Sequence, residues 1–318
     1  MRVRGPAVVC LLTALAVGVG ACSSNGGSGA AKSKPTTTAA GPPYAVTQFT
    51  LTFVDTSRPT PRNGTFPGAP SRTLPTVITL PVGAPAPLPL VVFSTGIDGT
   101  GTNYEGLYRH WVEAGYAVAA PEFPLSKAAA PGGSTIADFD NQPGDVRYVL
   151  DQLLRLSAAK TGKLAGKIDP NRIALAGKSL GALTTLRTAY LVKDHESREN
   201  AVISLTGGGG GGSGADAMFT GIYAPLLLVH GDNDHTVPYS ASVTAFSVAE
   251  APKFLVTLFG QDHGGAFDGE KNAAAHVVIA VTLDFLDAYV RNVPDALDRL
   301  KHDATVAKVS SFKSQAFR

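Results

Sequence analysis

The residues from Gly177 to Gly181 read Gly-Lys-Ser-Leu-Gly and directly follow the largely apolar run 172–176. A Gly-x-Ser-x-Gly sequence between a buried strand and a helix predicts a sharp turn, since glycine at both flanks lets the backbone turn tightly. Such a turn holds the hydroxyl of Ser179 at the carboxyl edge of a sheet, where a substrate can reach it. Alone the pentapeptide is a weak signal, because small residues cluster this way in many turns.

An acid and a base follow further predicted strands downstream. The apolar run 224–231 precedes Asp234, and the run 254–260 precedes His263. Parallel strands bring their carboxyl ends to one edge of a sheet, so we expect these two side chains to converge with Ser179. An imidazole can then remove the serine proton, and a buried carboxylate fixes the imidazole tautomer. The sequence therefore predicts Ser179, Asp234 and His263 as catalytic residues of a serine nucleophile.

Other polar residues around the predicted acid allow different interpretations. Asp232 competes with Asp234 for the role of the acid, or caps the turn through its carboxylate. His230 and His235 flank the acid and suggest a metal site, but their spacing fits no dedicated zinc motif. We therefore expect no metal and no organic cofactor.

These motifs resemble the α/β-hydrolase superfamily. Within it they are similar to the bacterial serine esterases grouped with dienelactone hydrolases, platelet-activating-factor acetylhydrolases and polyester hydrolases. The resemblance covers roughly residues 45 to 290. The segments that carry it are 90–96 (LVVFSTG), 115–121 (GYAVAAP), 142–151 (QPGDVRYVLD), 168–181 (IDPNRIALAGKSLG) and 230–238 (HGDNDHTVP).

The resemblance implies an oxyanion hole made by the backbone N–H groups of Ile97 and Leu180, with Asp234 as the catalytic acid. The chain departs from the family pattern at two positions. Thr95-Gly96 stands where the family usually has His-Gly, and Lys178 stands where it usually has histidine. Neither position belongs to the triad, and backbone donors do not depend on side chains. The departures bear on substrate preference and on the electrostatics of the site.

Three further side chains are candidates for the substrate pocket. Lys178 could donate to a substrate carboxylate or oxyanion, or it could pack against neighbouring strands or reach solvent. Glu122 could line the pocket, or it could accept hydrogen bonds from a nearby turn. Tyr104, close after the oxyanion loop, could form the floor of an acyl pocket.

The N-terminal segment has the pattern of a bacterial lipoprotein precursor. Met1–Arg4 is basic, 7–19 is apolar, and the residues 19–22 (VGAC) have the form of a lipobox. We predict a signal peptide over 1–21, a lipid on Cys22 and an extracytoplasmic protein attached to the membrane through that lipid. A different cleavage site and an uncleaved anchor helix are the alternatives, although the apolar stretch is short for ~30 Å of hydrocarbon.

Composition divides the rest of the chain into a linker and one domain. Residues 22–43 are rich in Ser, Gly, Thr, Ala and Pro without apolar periodicity, which predicts a disordered linker. Residues 44–318 have the size of one α/β domain. The whole chain has 27 basic and 25 acidic residues, and Arg2 and Arg4 leave with the signal peptide. A nearly neutral mature chain argues against nucleic acid as a partner.

The pattern of elements predicts an α/β-hydrolase fold. Apolar and polar residues alternate over 45–53, which predicts an edge antiparallel strand that pairs with 73–80. Downstream, buried strands alternate with helical stretches, which indicates a mostly parallel sheet with helices on both faces. The predicted helices span 104–115, 143–159, 180–192, 239–249 and 272–291.

A glycine run at 207–212 is the remaining unusual feature. The run does not form a phosphate-binding loop, because no Gly-Lys-Ser/Thr ending follows it. Residues 177–179 do have the sequence Gly-Lys-Ser, but Arg172 stands at the position where the phosphate-loop motif requires its first glycine. The run lies between Leu205 and Tyr223, where many hydrolases insert a helical cap. No amphipathic pattern occurs there, so we expect an open site without a large cap.

Together these features predict a monomeric serine carboxylic-ester hydrolase that acts on small-molecule, lipid or polymer esters. Two alternatives stay open: a serine peptidase or amidase of the same fold, and a catalytically silent binding module of the cell envelope. Thr95 and Lys178, as departures from the family pattern, are the features that favour the second alternative.

Overall fold

A mixed β-sheet forms the centre of the protein. The computed structural model describes residues 43–208, 218–219, 221, 224–269 and 271–316. The strands of these ranges are β1 (Ala45–Asp55), β2 (Arg72–Val82), β3 (Leu88–Ser94), β4 (Ala117–Pro121), β5 (Ile168–Lys178), β6 (Glu199–Leu205), β7 (Leu226–Gly231), β8 (Lys253–Leu258) and β9 (Ser310–Gln315). Across the sheet they lie in the order β1-β2-β4-β3-β5-β6-β7-β8-β9. Neighbours among β3 to β8 pair in parallel. The pairs β1–β2, β2–β4 and β8–β9 are antiparallel.

Helices cover both faces of this sheet. They are α1 (Glu105–Glu113), α2 (Gln142–Ala158), α3 (Leu180–Tyr190), α4 (Ser240–Val248), α5 (Ala273–Tyr289) and α6 (Ala296–Asp303). One hydrophobic core lies between the sheet and α1, α5 and α6, and a second lies between the sheet and α2, α3 and α4. Every residue of β3, β4, β7 and β8 is buried, because both faces of a parallel sheet are covered. This explains the continuous apolar runs in the sequence.

The predicted fold class is confirmed: the protein is α/β, with a mostly parallel sheet, antiparallel N-terminal strands and helices on both faces. The five predicted helices all occur, with ends within two residues of those expected. The predicted pairing of 45–53 with 73–80 is also present. The sequence analysis missed β6, α6 and β9. The last of these, with the sequence SSFKSQ, has no clear alternation and is held by backbone pairing with β8.

Some predictions concern residues outside the described ranges. They are the signal peptide, the lipid on Cys22, the disordered linker and the absence of a large cap, since most of the glycine run lies outside these ranges. These stay predictions. Among the helices of the described ranges, none combines the length and the apolar character that a membrane span requires.

A buried ion cluster joins β2 to the start of α2. The Arg72 side chain is fully buried and donates from Nε and Nη2 to the two carboxylate oxygens of Asp145, at 2.6 Å each. Its Nη2 also donates to Asp138 at 2.7 Å. Next to this cluster, the side chain of Gln142 donates to Ser126 Oγ at 2.9 Å. The cluster therefore fixes the helix start and the loop that leads to it.

We predict that Arg72→Met destabilises the protein by about 3–5 kcal/mol, because it leaves buried carboxylates without their main counter-ion. Urea unfolding at pH 7 measures this change. Arg155→Met is the control, since Arg155 is exposed and, among the described residues, donates hydrogen bonds to Gln152 alone. If Arg72→Met does not fold, Arg72→Lys should give a smaller loss, since it keeps the charge without the bidentate geometry. A loss below about 1 kcal/mol for Arg72→Met would contradict the importance of the cluster.

Candidate active site

The turn between β5 and α3 carries Ser179. This residue has φ +59°, a left-handed conformation that costs about 1–3 kcal/mol outside glycine and is found at functional sites. A Cβ at Gly177 would collide with the carbonyl oxygen of Gly181, and a Cβ at Gly181 would collide with that of Ser94. The two glycines are therefore needed because backbones approach closely on both sides of the serine. The turn is held by a hydrogen bond from the Ser179 N–H to the carbonyl oxygen of Leu205, at 3.0 Å.

The structure brings Ser179, His263 and Asp234 together. Ser179 Oγ lies 2.8 Å from His263 Nε2, and His263 Nδ1 lies 2.7 Å from Asp234 Oδ2. Ser179 and His263 follow β5 and β8, and Asp234 follows β7, so all three lie at the carboxyl edge of the parallel strands. With the Nδ1–H donating to the carboxylate, Nε2 is free to accept the serine proton. This is the hydrogen-bonded chain that a serine nucleophile needs.

Asp232, the competitor for the acid, has a different partner. Its Oδ1 accepts a hydrogen bond from the Gly260 N–H at 2.6 Å, and its side chain is exposed. Asp232 therefore ties the loop after β7 to the end of β8. Of the two aspartates, Asp234 is the one that contacts His263.

The Asp234 carboxylate has a full set of donors. Its Oδ1 accepts from the backbone N–H groups of Thr236 and Val237 at 2.8 and 2.9 Å. Burial by itself raises the pKa of this carboxyl, but hydrogen bonds from His263 and from these N–H groups outweigh burial and hold the pKa below its usual range. The carboxylate thus stays charged next to the imidazole.

A second histidine shares this carboxylate. His230 Nε2 lies 3.1 Å from Asp234 Oδ2 and 3.0 Å from the carbonyl oxygen of Val237, and the ring is completely buried. Both partners of Nε2 are acceptors, so we infer that Nε2 carries a hydrogen. Nδ1 lies 2.7 Å from Ser242 Oγ. Ser242 Oγ in turn donates to the carbonyl oxygen of Gly207 at 2.6 Å. Burial lowers the pKa of His230, while the hydrogen-bonded Val237 carbonyl and the Asp234 charge act against burial.

From the sequence, His230 is a neighbour of the acid that suggests a metal site with His235, and its contact with Asp234 is not predicted. The signal that could have found its contact is the spacing of four residues to Asp234 across a strand end. His235, on the other side of the acid, is exposed. Within the described residues, no group of three or more His, Cys, Asp or Glu side chains is arranged to hold a metal ion.

The loop after β3 passes directly beside the nucleophile. A Cβ at Gly96 would lie 3.2 Å from the Cβ of Ser179. The loop is held by a hydrogen bond from the Asp98 N–H to the carbonyl oxygen of Ser126, at 2.8 Å. Within the described part of the chain, the N–H groups of Ile97 and Leu180 have no hydrogen-bond acceptor. Two free backbone donors near a serine hydroxyl are what an oxyanion hole requires.

Tyr104 and Lys178 lie together on this side of the site. Lys178 Nζ is 5.6 Å from the centre of the Tyr104 ring, which packs against Phe93. Tyr104 also lines an open cavity of about 390 Å³. The cavity's other lining residues are Ile97, Asp98, Gly99, Asn103, Asp268 and Lys271.

Glu122 has local partners. Its carboxylate accepts a hydrogen bond from the Gly101 N–H at 3.4 Å and lies 3.7 Å from Lys127 Nζ. It does not line the cavity beside Tyr104. Glu122 therefore binds the turn after the oxyanion loop, which is the alternative role that the sequence left open.

The chain has a partial similarity to proteins of Escherichia coli. No protein-family model matches the chain. The chain is similar to the uncharacterized protein YfhR of Escherichia coli O157:H7 and of Escherichia coli strain K12, in each case with 27% identity over 127 residues. The aligned region covers 35% of this chain and 45% of the relative, so the chain spans less than half the length of the curated relatives it matches.

We predict that His230→Leu slows the reaction of Ser179 with a fluorophosphonate by about 10- to 100-fold, because a hydrogen bond to a charged group contributes about 1.5–3 kcal/mol. His230→Gln should recover much of the rate, since its amide can donate from a similar position. The second-order rate constant of labelling measures both effects.

The exposed His235 supplies the matched control, and His235→Leu should label at the wild-type rate. Thermal unfolding shows whether the His230 variants are folded. The prediction assumes that the hydrogen bond from His230 holds the Asp234 carboxylate in place for His263. If folded His230→Leu is labelled as fast as wild type, His230 does not have this role.

Proposed function

We propose that this protein is a serine carboxylic-ester hydrolase of the α/β-hydrolase superfamily. The observation that carries the proposal is the unbroken chain of contacts from Ser179 Oγ through His263 to Asp234, with distances of 2.8 and 2.7 Å. The strained turn that presents the serine and the free N–H groups of Ile97 and Leu180 support the same conclusion.

The reaction proceeds through an acyl-enzyme. His263 accepts the proton of Ser179 as Oγ attacks the carbonyl carbon of the ester, and the N–H groups of Ile97 and Leu180 stabilise the oxyanion. His263 then donates this proton to the leaving alcohol. A water molecule, activated by the same imidazole, releases the acid and restores the serine. Each proton and each developing charge has a protein group to receive it, so the scheme needs no cofactor.

The site favours no single ester class by shape. The cavity beside Tyr104 is open and has polar as well as apolar walls, including Asp98 and Ile97. Small-molecule, lipid and polymer esters are all candidate substrates. We further propose that the protein acts as a monomer, has no nucleic-acid partner and is held outside the cell membrane by a lipid on Cys22, on the sequence features alone.

We predict that the wild-type protein hydrolyses 4-nitrophenyl butyrate and is labelled by a fluorophosphonate, and that Ser179→Ala loses the label and about 10⁶-fold in turnover. Nitrophenolate release and mass spectrometry of the labelled peptide measure these outcomes. Folded wild-type protein that takes no label would favour a catalytically silent binding module. Faster cleavage of peptide or amide substrates than of nitrophenyl esters would favour a peptidase or amidase.

We also predict that the protein from bacterial membranes begins at Cys22 with a lipid on its sulfur, which mass spectrometry of the N-terminal peptide detects. Cys22→Ser should move the protein from the membrane fraction to the soluble fraction, because stable attachment depends on the acyl chains. An unmodified Cys22 in the membrane-extracted protein would refute the anchor without touching the esterase proposal.

A further inference from the structure

Two lysines are buried within the described residues, and they differ in their partners. Lys253, 5% exposed, donates to the carbonyl oxygen of Ala249 at 2.6 Å. Lys178 is 7% exposed, and its ammonium has no hydrogen-bond acceptor and no ion-pair partner in the described part of the chain. Its Nζ is not among the fully enclosed polar atoms of the described residues that lack a partner, so the ammonium reaches solvent at the end of a largely buried side chain. Lys178 directly precedes Ser179, so this unpaired ammonium belongs to the candidate active site and is accessible to a ligand.

The acidic residues near Lys178 have other partners. Asp234 accepts from His263, His230 and two backbone N–H groups. Asp262 accepts from the N–H groups of Gly264 and Gly265.

The third acidic neighbour, Asp268, lies 3.6 Å from Lys271 Nζ. Burial lowers the pKa of Lys178, while the charges of Asp268, Asp234 and Asp262 act against burial and favour the ammonium form. These carboxylates support the charge of Lys178 without using its hydrogens.

The ammonium lies next to a residue that lines the cavity described above. It lies over the ring of Tyr104, which lines the cavity together with Ile97. Within the described residues the Tyr104 hydroxyl also has no hydrogen-bond partner, and burial, helped by the charge of Asp268, raises its pKa to about 12. Tyr104 thus keeps its proton at neutral pH and can donate it. An ammonium and a hydroxyl, neither with an acceptor among the described residues, thus belong to two neighbouring side chains, one of which adjoins Ser179 in the sequence.

We propose that Lys178, with Tyr104, binds an anionic group on the acyl part of the substrate, and that the preferred substrates are esters that carry a carboxylate on their acyl chain. A carboxylate accepts charge-assisted hydrogen bonds from an ammonium and supplies the acceptor that Lys178 lacks. This inference rests on the proposed ester hydrolysis, of which it names the substrate class.

A matched pair of substrates tests the proposal: the 4-nitrophenyl monoesters of glutaric and adipic acid, and the same compounds with the distal carboxyl group methylated. The measured quantity is the ratio of kcat/KM for the acid to kcat/KM for its neutral methyl ester. For wild type we expect a ratio of about 10 or more. In Lys178→Met the ratio should fall about 10-fold, mainly through KM of the acid, and Lys178→Arg should keep most of it.

Two further variants separate the ammonium from other effects. Lys160→Met removes an exposed lysine beyond the end of α2 and should leave the ratio at the wild-type value. Tyr104→Phe keeps the ring under the ammonium but removes the hydroxyl, and should lower the ratio by a smaller factor than Lys178→Met. Thermal unfolding and fluorophosphonate labelling establish that each variant is folded and has a reactive serine.

The outcomes distinguish the two levels of the proposal. If wild type hydrolyses neither member of the pair and takes no fluorophosphonate, the esterase proposal itself is wrong. If wild type hydrolyses both but the ratio is the same in Lys178→Met, anion binding is wrong and Lys178 acts as a counter-ion for Asp234, Asp262 and Asp268. A wild-type ratio below 1 overturns the inference directly.

Discussion

The close approach of three backbone segments around Ser179 is the constraint on which the rest of the site depends. The turn of Ser179 lies between the end of β3 at Ser94 and the start of α3, so closely that neither Gly177 nor Gly181 has room for a side chain. This packing holds Ser179 in a left-handed conformation that a free chain would avoid. The packing of the large buried sheet, which carries the turn, offsets the free-energy cost of this backbone conformation. Ser179 is therefore held firmly in one backbone conformation.

A second set of contacts holds the loop after β3 in place. The backbone of Asp98, just after Ile97, is bonded to Ser126, and Ser126 is bonded through its hydroxyl to Gln142 at the start of α2. Thr184 of α3 donates to the same Gln142 side chain. The buried pairing of Arg72 with Asp145 fixes that helix start on β2. The loop that contains Ile97 and the helix that follows Ser179 are thus connected through the side chain of Gln142.

Most of the fold could be predicted because its parallel strands are buried on both faces and appear as continuous apolar runs. Strand β9 could not, since it has few apolar residues and is held by backbone hydrogen bonds to its neighbour. Within the site, the meeting of Ser179, Asp234 and His263 followed from their positions after strand ends. The contact of His230 with Asp234 did not, because it depends on how the loop after β7 folds back. No periodic pattern encodes that loop.

The shared oxygen of Asp234 has a consequence for how far the site extends into the protein. His230 Nε2 and His263 Nδ1 lie 3.1 and 2.7 Å from the same Oδ2. Two rings therefore set the position of this oxygen, and one of them, His230, is completely buried. A change in the interior that displaces His230 is thus transmitted through the carboxylate to the imidazole beside Ser179, so the geometry at the mouth of the site depends on the packing beneath it.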